Sequence, residues 1–137
     1  MKALNLLRVV AHKDWGADCA TLLKLYRSHV RPKLDNYGCV VYGSARQSAL
    51  DCLDRVQNAA LRVCLGAFRT SPIASLHVEA GELPLTLRRQ QLSLQYIIKL
   101  RSTPSNPAFR CVFNSNFKLL FEARQQIIPT LGLRLHQ

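Results

Sequence analysis

Prolines and glycines divide this chain into short blocks, and within each block the apolar residues recur at helical spacing. Proline disrupts the interior of a helix, and glycine readily adopts the backbone conformation that ends one. Residues 37–42 have strand propensity, but no partner strand is apparent elsewhere, so we expect a short buried helix there. The chain is therefore predicted to be all-α, an irregular helical bundle of about five to seven helices joined by short connections.

Two helices are predicted at the start of the chain. The first covers about residues 2–12, and Trp15 with Gly16 breaks it. Asp18 is the predicted N-cap of the second, because a short acidic side chain accepts hydrogen bonds from the free N–H groups of a helix start. Pro32 is expected to end or kink this second helix, since it lacks an N–H and clashes with the preceding turn.

The clearest helical block runs from a serine cap, either Ser44 or Ser48, to Gly66. Gly66 stands at the position after the helix where a left-handed backbone is favoured. Asp51 and Arg55 are spaced to pair across one turn. The apolar stripe that would face the core consists of Leu50, Leu53, Val56, Leu61, Cys64 and Leu65.

Two more helices are predicted between residues 71 and 101. Ser71 is the expected N-cap of a short helix that has Pro72 as its first residue, and Gly81 is expected to stop it. Pro84 then opens a long helix that extends to about Arg101.

A turn-rich stretch at residues 103–107, with the sequence Thr-Pro-Ser-Asn-Pro, suggests a division of the chain. We expect residues 1–103 to form a helical core. Residues 104–137 are expected to form a helical segment that is interrupted near 114–116, followed by a frayed C-terminal tail.

The charge balance points to a polyanionic partner. Nineteen Lys and Arg face eight Asp and Glu, so the net charge is +11. Nucleic acid is the expected partner, an anionic membrane surface the second choice, and a merely basic domain the alternative. No apolar run approaches the length of about 18 residues that a membrane-spanning helix needs.

The five cysteines are odd in number and show no C-x-x-C spacing. We expect them to be reduced thiols, partly in the core, in an intracellular protein of the cytoplasm or nucleus that is not secreted.

No constellation of catalytic residues is apparent in the sequence. There is no glycine-rich phosphate loop before a helix, and no H-E-x-x-H or EF-hand motif. Asp51 and Asp54 share a helix face, but a solvated surface explains them better than two-metal chemistry. We therefore expect no catalytic residue, no metal site and no cofactor in this chain.

Three rows of basic residues are candidates for holding a phosphate backbone, although each row taken alone also fits a solvated helix face. They are Arg55, Arg62 and Arg69; Arg88 and Arg89; and Lys24, Arg27 and Arg31. Two aromatic residues in the breaks between helices, Trp15 and Phe68, are weaker candidates for stacking on bases.

Six motifs in order give the chain a resemblance to one protein family. They are Trp-Gly-Ala-Asp at 15–18; Leu-Tyr-Arg-Ser at 25–28 with Val-Arg-Pro-Lys-Leu-Asp at 30–35 and Tyr-Gly at 37–38; Leu-Asp-Arg-Val-Gln-Asn-Ala-Ala-Leu-Arg at 53–62; Leu-Gly-Ala-Phe-Arg-Thr-Ser-Pro at 65–72; Glu-Ala-Gly-Glu-Leu-Pro-Leu at 79–85, followed by two arginines; and Asn-Pro at 106–107. In this order they resemble the region after the palm of Jockey-like non-LTR retrotransposon reverse transcriptases.

The resemblance implies the thumb and connection of an RNA-directed DNA polymerase. In the parent enzyme, magnesium and deoxynucleotides would act at the palm. This chain has no Asp-Asp dipeptide, no fingers or palm, and no RNase H carboxylate cluster, and Pro32 departs from the residue that the family often has. The implied role is a non-catalytic fragment that grips RNA, DNA or a hybrid by its backbone, without sequence specificity.

An inert or protein-interaction remnant is the alternative. The first helix is more apolar than one buried stripe requires, and its surplus would pack on the missing palm or drive self-association. The apolar residues concerned are Leu4, Leu6, Leu7, Val9 and Val10.

Overall fold

The computed structural model describes residues 2–12, 14–35, 45–114, 119, 123 and 131–134. Helices occupy most of them, and these residues contain no strand, which confirms the predicted all-α irregular bundle. The predicted helix at 37–42 lies outside the described residues. The helices are α1 Lys2–Val10, α2 Cys19–Leu25, α3 Arg31–Asp35, α4 Gln47–Leu65, α5 Ile73–Ala80, α6 Leu85–Ser102, α7 Pro107–Phe113 and α8 Leu131–Arg134, with a π-helical segment, Tyr26–Val30, between α2 and α3.

The chain divides into two compact units. The first consists of Met1–Tyr37 with Asp51–Arg88, and the second of Gly38–Leu50 with Arg89–Gln137. The expected boundary at 103/104 falls inside the second unit, where residues 103–106 separate α6 from α7. Within the described ranges, no helix is both long enough and apolar enough to cross a membrane.

The core of the first unit is built on one face of the α2–α3 stretch. Leu22, Tyr26, Val30 and Leu34 recur every four residues, and all four are buried. They pack with apolar residues of α1, α4 and the α5–α6 region, namely Leu4, Leu7, Ala60, Leu61, Cys64, Ala80 and Leu85. Each large buried side chain contributes about 1.5–3 kcal/mol relative to exposure, so this face ties the unit together.

Pro32 does not end the helix in which it lies, because the chain stays helical from Cys19 to Asp35. The N–H of Arg31 donates to the carbonyl oxygen of Tyr26, five residues earlier, which is the wider π-helical bond. In a regular helix the proline ring would clash with the carbonyl four residues back. The wider turn just before Pro32 relieves that crowding. Of the two predicted outcomes, an end or a kink, the end is wrong, and the helix continues through a π-helical distortion.

The two predicted glycine stops, Gly66 and Gly81, are confirmed, since their φ angles are +62° and +63°. The N–H of Ala67 reaches the Arg62 carbonyl at 3.1 Å, and that of Glu82 reaches His77 at 3.0 Å. These are Schellman bonds, which satisfy helix-end carbonyls and turn the chain sharply.

The predicted serine caps are wrong where the structure describes them. Ser48 lies inside the first turn of α4, because Ala49 and Leu50 donate to the carbonyl of Arg46. Ser71 precedes Pro72, whose ψ of 136° is not helical, so α5 begins one residue later than predicted. The other candidate cap, Ser44, lies outside the described residues.

Other predicted helix ends agree with the structure. Asp18 occupies the N-cap position of α2, although its side chain makes no capping hydrogen bond to the backbone. Its pKa is lowered mainly by a hydrogen bond with the Thr21 side chain. Pro84 directly precedes α6. In the second unit, Oδ1 of Asn106 accepts from the N–H of Ala108 at 2.9 Å and so caps α7.

Candidate nucleic-acid interface

Three arginines from different parts of the first unit line one shallow, wide-open pocket. Arg8 comes from the last turn of α1, Arg62 from the last turn of α4, and Arg69 from the loop after α4. The sharp turn at Gly66 brings this loop back beside the end of α4. We call this surface of about 430 Å³ the arginine pocket, and its full lining is Arg8, Ala11, Arg62, Val63, Gly66, Ala67 and Arg69.

No carboxylate in the described part of the chain compensates the positive charge of the arginine pocket. Arg8 and Arg69 are exposed and Arg62 is half-buried, and none of the three forms an ion pair with a carboxylate in the described part of the chain. Nη2 of Arg62 lies 3.5 Å from the Ser71 carbonyl oxygen, while its buried Nε has no acceptor among the described residues. Like charges repel and a buried unpaired donor costs free energy, so a bound anion would stabilise this arrangement.

The predicted row on α4 is partly gathered into the pocket. Arg55 and Arg62 lie two turns apart on this helix, about 10 Å along its axis. Arg69 lines the pocket with Arg62, whereas Arg55 is exposed outside the lining and its Nε donates to the main-chain oxygen of Asp51. Sequence reasoning missed Arg8, a single basic residue at the end of an apolar helix, because only tertiary proximity places it here.

Two arginines of the predicted row Lys24, Arg27 and Arg31 are bound by buried carboxylates. The Glu82 side chain is 1% exposed and accepts from Nε of Arg27 at 2.7 Å and Nη1 of Arg31 at 2.8 Å. Asp35 accepts from Nε of Arg31 at 3.3 Å and Nε of Arg88 at 3.0 Å. We call these five residues the carboxylate network. It links the α2–α3 stretch to the loop before α6 and to α6 itself, so its arginines have a structural task.

The remaining predicted basic residues differ in accessibility. Lys24 is exposed on α2 and is available to a polyanion. Arg89 is buried, so little of its guanidinium is accessible to a ligand, although the sequence places it beside Arg88.

Both candidate stacking residues are exposed. Phe68 is 81% exposed and lies between two residues that line the arginine pocket, Ala67 and Arg69. Trp15 is 64% exposed, but its ring already stacks on His12, with ring centroids 5.0 Å apart. Phe68 therefore has the more accessible ring.

A buried amide, which sequence reasoning also missed, organises the connection between α5 and α6. Nε2 of Gln57 donates to the Leu83 carbonyl at 3.0 Å and to the Tyr26 hydroxyl at 3.3 Å, and its Oε1 accepts from the N–H of Leu85 at 3.1 Å. Burial raises the pKa of Tyr26 to about 12, although the bond from Gln57 opposes the shift. All the polar atoms of the amide are used, so its role is structural.

A second cavity of about 640 Å³ lies beside His77 on α5. Nδ1 of His77 is 3.1 Å from the Glu82 carbonyl oxygen, and its Nε2 is 3.1 Å from Oδ1 of Asn58. Both ring nitrogens are therefore engaged, and the cavity lining contains no serine or cysteine. Among the described residues, no group of three His, Cys, Asp or Glu could hold a metal ion.

Comparison of the chain with protein-family models, curated proteins and solved structures found no match. Function is therefore inferred from the geometry, the charge and the motifs of the sequence.

Proposed function

We propose that this chain is a non-catalytic, nucleic-acid-binding region related to the thumb and connection of a retrotransposon reverse transcriptase. Its task is to hold RNA, DNA or a hybrid by the phosphate backbone. The observation that carries the proposal is the convergence of Arg8, Arg62 and Arg69 on one pocket without a compensating carboxylate in the described part of the chain.

Guanidinium groups suit this ligand for a chemical reason. Their planar fork of N–H donors matches phosphate oxygens, and they remain charged at any physiological pH. Phosphates are the same in every nucleotide, so such contacts position a strand without reading its sequence. The net charge of +11 adds long-range attraction to the same ligand.

The residues that we propose to contact the phosphate backbone of the nucleic acid are not all of those suggested by the sequence. The arginine pocket is the centre of the proposed interface, with Arg55 and Lys24 as further exposed cations. The arginines of the carboxylate network support the fold, because their charge is already balanced in part by Asp35 and Glu82.

In this proposal, polymerisation belongs to the palm of the parent protein, where magnesium would be bound. The chain acts inside the cell, in the cytoplasm or nucleus. Free thiols fit such a reducing compartment, and four described cysteines are free: Cys19, Cys52, Cys64 and Cys111.

Salt-dependent binding tests the proposal. Fluorescence anisotropy with a labelled duplex and a labelled single strand should give affinities that fall linearly with salt on a double-logarithmic plot. Removing one phosphate contact, as in Arg69→Ala or Arg62→Ala, should flatten the slope by about 0.9 on duplex and about 0.7 on a single strand. Each substitution should weaken binding to all nucleic-acid sequences to the same extent.

The matched control is Arg110→Ala on α7, which removes an exposed arginine outside the arginine pocket. It changes the net charge by the same amount, so it measures the general effect of charge. If the control flattens the slope as much as Arg69→Ala does, the arginine pocket is not the binding site. Absence of binding to every nucleic acid tested would remove the proposal altogether.

A protein-interaction remnant is the second candidate, supported by two exposed apolar residues on α1. Leu6 is 46% exposed and Val9 is 61% exposed, while Leu4 and Leu7 of the same helix are buried. Analytical ultracentrifugation of the wild type and of Leu6→Gln tests it. Self-association that this substitution abolishes favours the remnant, and a monomer at high concentration counts against it.

A further inference from the structure

Phe68 is the most exposed aromatic side chain among the described residues. It is 81% exposed, and it lies in a loop whose backbone is well determined by hydrogen bonds. The Schellman turn at Gly66 precedes it, and its carbonyl accepts from the N–H of Ser71 at 3.1 Å. These bonds position the backbone of Phe68, and its ring extends into solvent.

Phe68 lies next to the arginine pocket. Ala67 and Arg69, on either side of it in the chain, both line the arginine pocket. An exposed aromatic ring thus lies beside a pocket whose positive charge is not balanced by any carboxylate among the described residues. Aromatic rings next to a positively charged groove are the combination by which proteins hold unpaired bases and their phosphates together.

We infer that this site takes single-stranded nucleic acid, with an unpaired base stacked on Phe68 and the adjoining phosphates in the arginine pocket. This inference rests on the proposed function and narrows it. In a duplex both faces of a base are already covered by its stacked neighbours, so a base can stack on Phe68 only after it has left the duplex stack. Stacking needs only a π face, which every base has. The site should therefore prefer single strands to duplexes without preferring any base sequence.

The test compares three fluorescein-labelled ligands of equal length: oligothymidylate, an abasic single strand and a duplex. The key variant is Phe68→Leu, which keeps an apolar side chain but removes the aromatic face. Tyr96→Leu is the matched control, since Tyr96 is an exposed aromatic residue of α6 outside the pocket. Because Phe68 is largely exposed, its replacement leaves the packed core unchanged, which circular dichroism verifies.

We expect Phe68→Leu to bind oligothymidylate roughly 5- to 150-fold more weakly than the wild type does, the range that corresponds to one stacked base. Its affinity for the abasic strand and for the duplex should be unchanged. Phe68→Trp should bind oligothymidylate at least as tightly as the wild type, and Tyr96→Leu should bind all three ligands as the wild type does.

Two results would overturn the inference while the proposed function stands. One is wild-type affinity of Phe68→Leu for oligothymidylate, together with arginine variants that weaken binding. The other is an equal loss for the base-bearing and abasic strands, which would mean that the ring acts through packing. If the first of these results comes with altered sedimentation of Phe68→Leu, the ring contacts a protein surface instead. Failure of the wild type to bind any of the three ligands would instead refute the proposed function itself.

Discussion

Replacing Glu82 by glutamine should be among the most destabilising single changes at a charged residue in this protein. The carboxylate is almost completely buried and accepts short bonds from Arg27 and Arg31. Glutamine has nearly the same volume, but its amide keeps only one acceptor oxygen and brings an NH2 group against a second guanidinium. The substitution therefore removes a charge without opening a cavity.

The expected loss in the free energy of unfolding depends on how exposed the arginine partners of Glu82 are. Breaking a fully buried ion pair by removing one partner costs about 3–5 kcal/mol. Here the side chains of Arg27 and Arg31 are 48% and 27% exposed, so water stabilises part of the abandoned charge. We expect a loss of about 3 kcal/mol, a large part of the roughly 5–15 kcal/mol that stabilises a native domain, and a fall in Tm of about 10 °C.

Urea unfolding monitored by circular dichroism measures this loss as a lower midpoint with an unchanged m-value. Glu79→Gln is the matched control, because Glu79 is an exposed carboxylate on the neighbouring helix α5. The control should change the free energy of unfolding by less than about 0.5 kcal/mol. A Glu82→Gln variant as stable as the control would refute the structural role of the carboxylate network.

Two further predictions concern single residues of the first unit. The pKa of Tyr26 is about 12 in the folded state against an ordinary value of 10.0, so only the unfolded state releases this proton between these values. The free energy of unfolding should therefore fall by up to about 1.4 kcal/mol per pH unit from about pH 10 to about pH 12. Urea unfolding across this range should show less decline for Tyr26→Phe, and identical profiles would contradict the assignment. Gly66→Ala should lower the free energy of unfolding by about 1 kcal/mol, measured in the same way, because alanine is disfavoured at a φ of +62° although no atom lies within 4 Å of the added methyl group.

Local features of the fold were predictable from the sequence because their causes are short-range. The all-α class follows from apolar periodicity within each block. The helix stops at Gly66 and Gly81 follow from the preference of glycine for left-handed backbone. Individual helix boundaries still differed from the prediction. Ser71 was the predicted N-cap of α5, but Pro72 occupies that position. Helix starts are harder to place because several residues in a row can accept the first bonds.

At Pro32 the usual disruptive effect of proline on a helix is offset by a change in the preceding turn. The rule that proline interrupts a helix is sound, yet the chain absorbs the interruption with a π-helical turn and continues to Asp35. This continuation matters for the site, because it places Asp35 where it accepts from Arg31 and Arg88. The four-residue recurrence of Leu22, Tyr26, Val30 and Leu34 also fits one face of a regular helix, so the sequence alone did not indicate a π-helical turn.

The sequence determined by itself that the protein is helical, strongly basic and supplied with rows of cations at helical spacing. It did not distinguish the row of Arg27 and Arg31 from that of Arg55 and Arg62, because both have helical spacing. Only the tertiary structure decided between them. Glu82 lies 55 residues from Arg27 in the chain, and folding buries its carboxylate against the first row. Helix formation depends on neighbours within one turn, whereas the partner of a charge depends on which distant segments pack together.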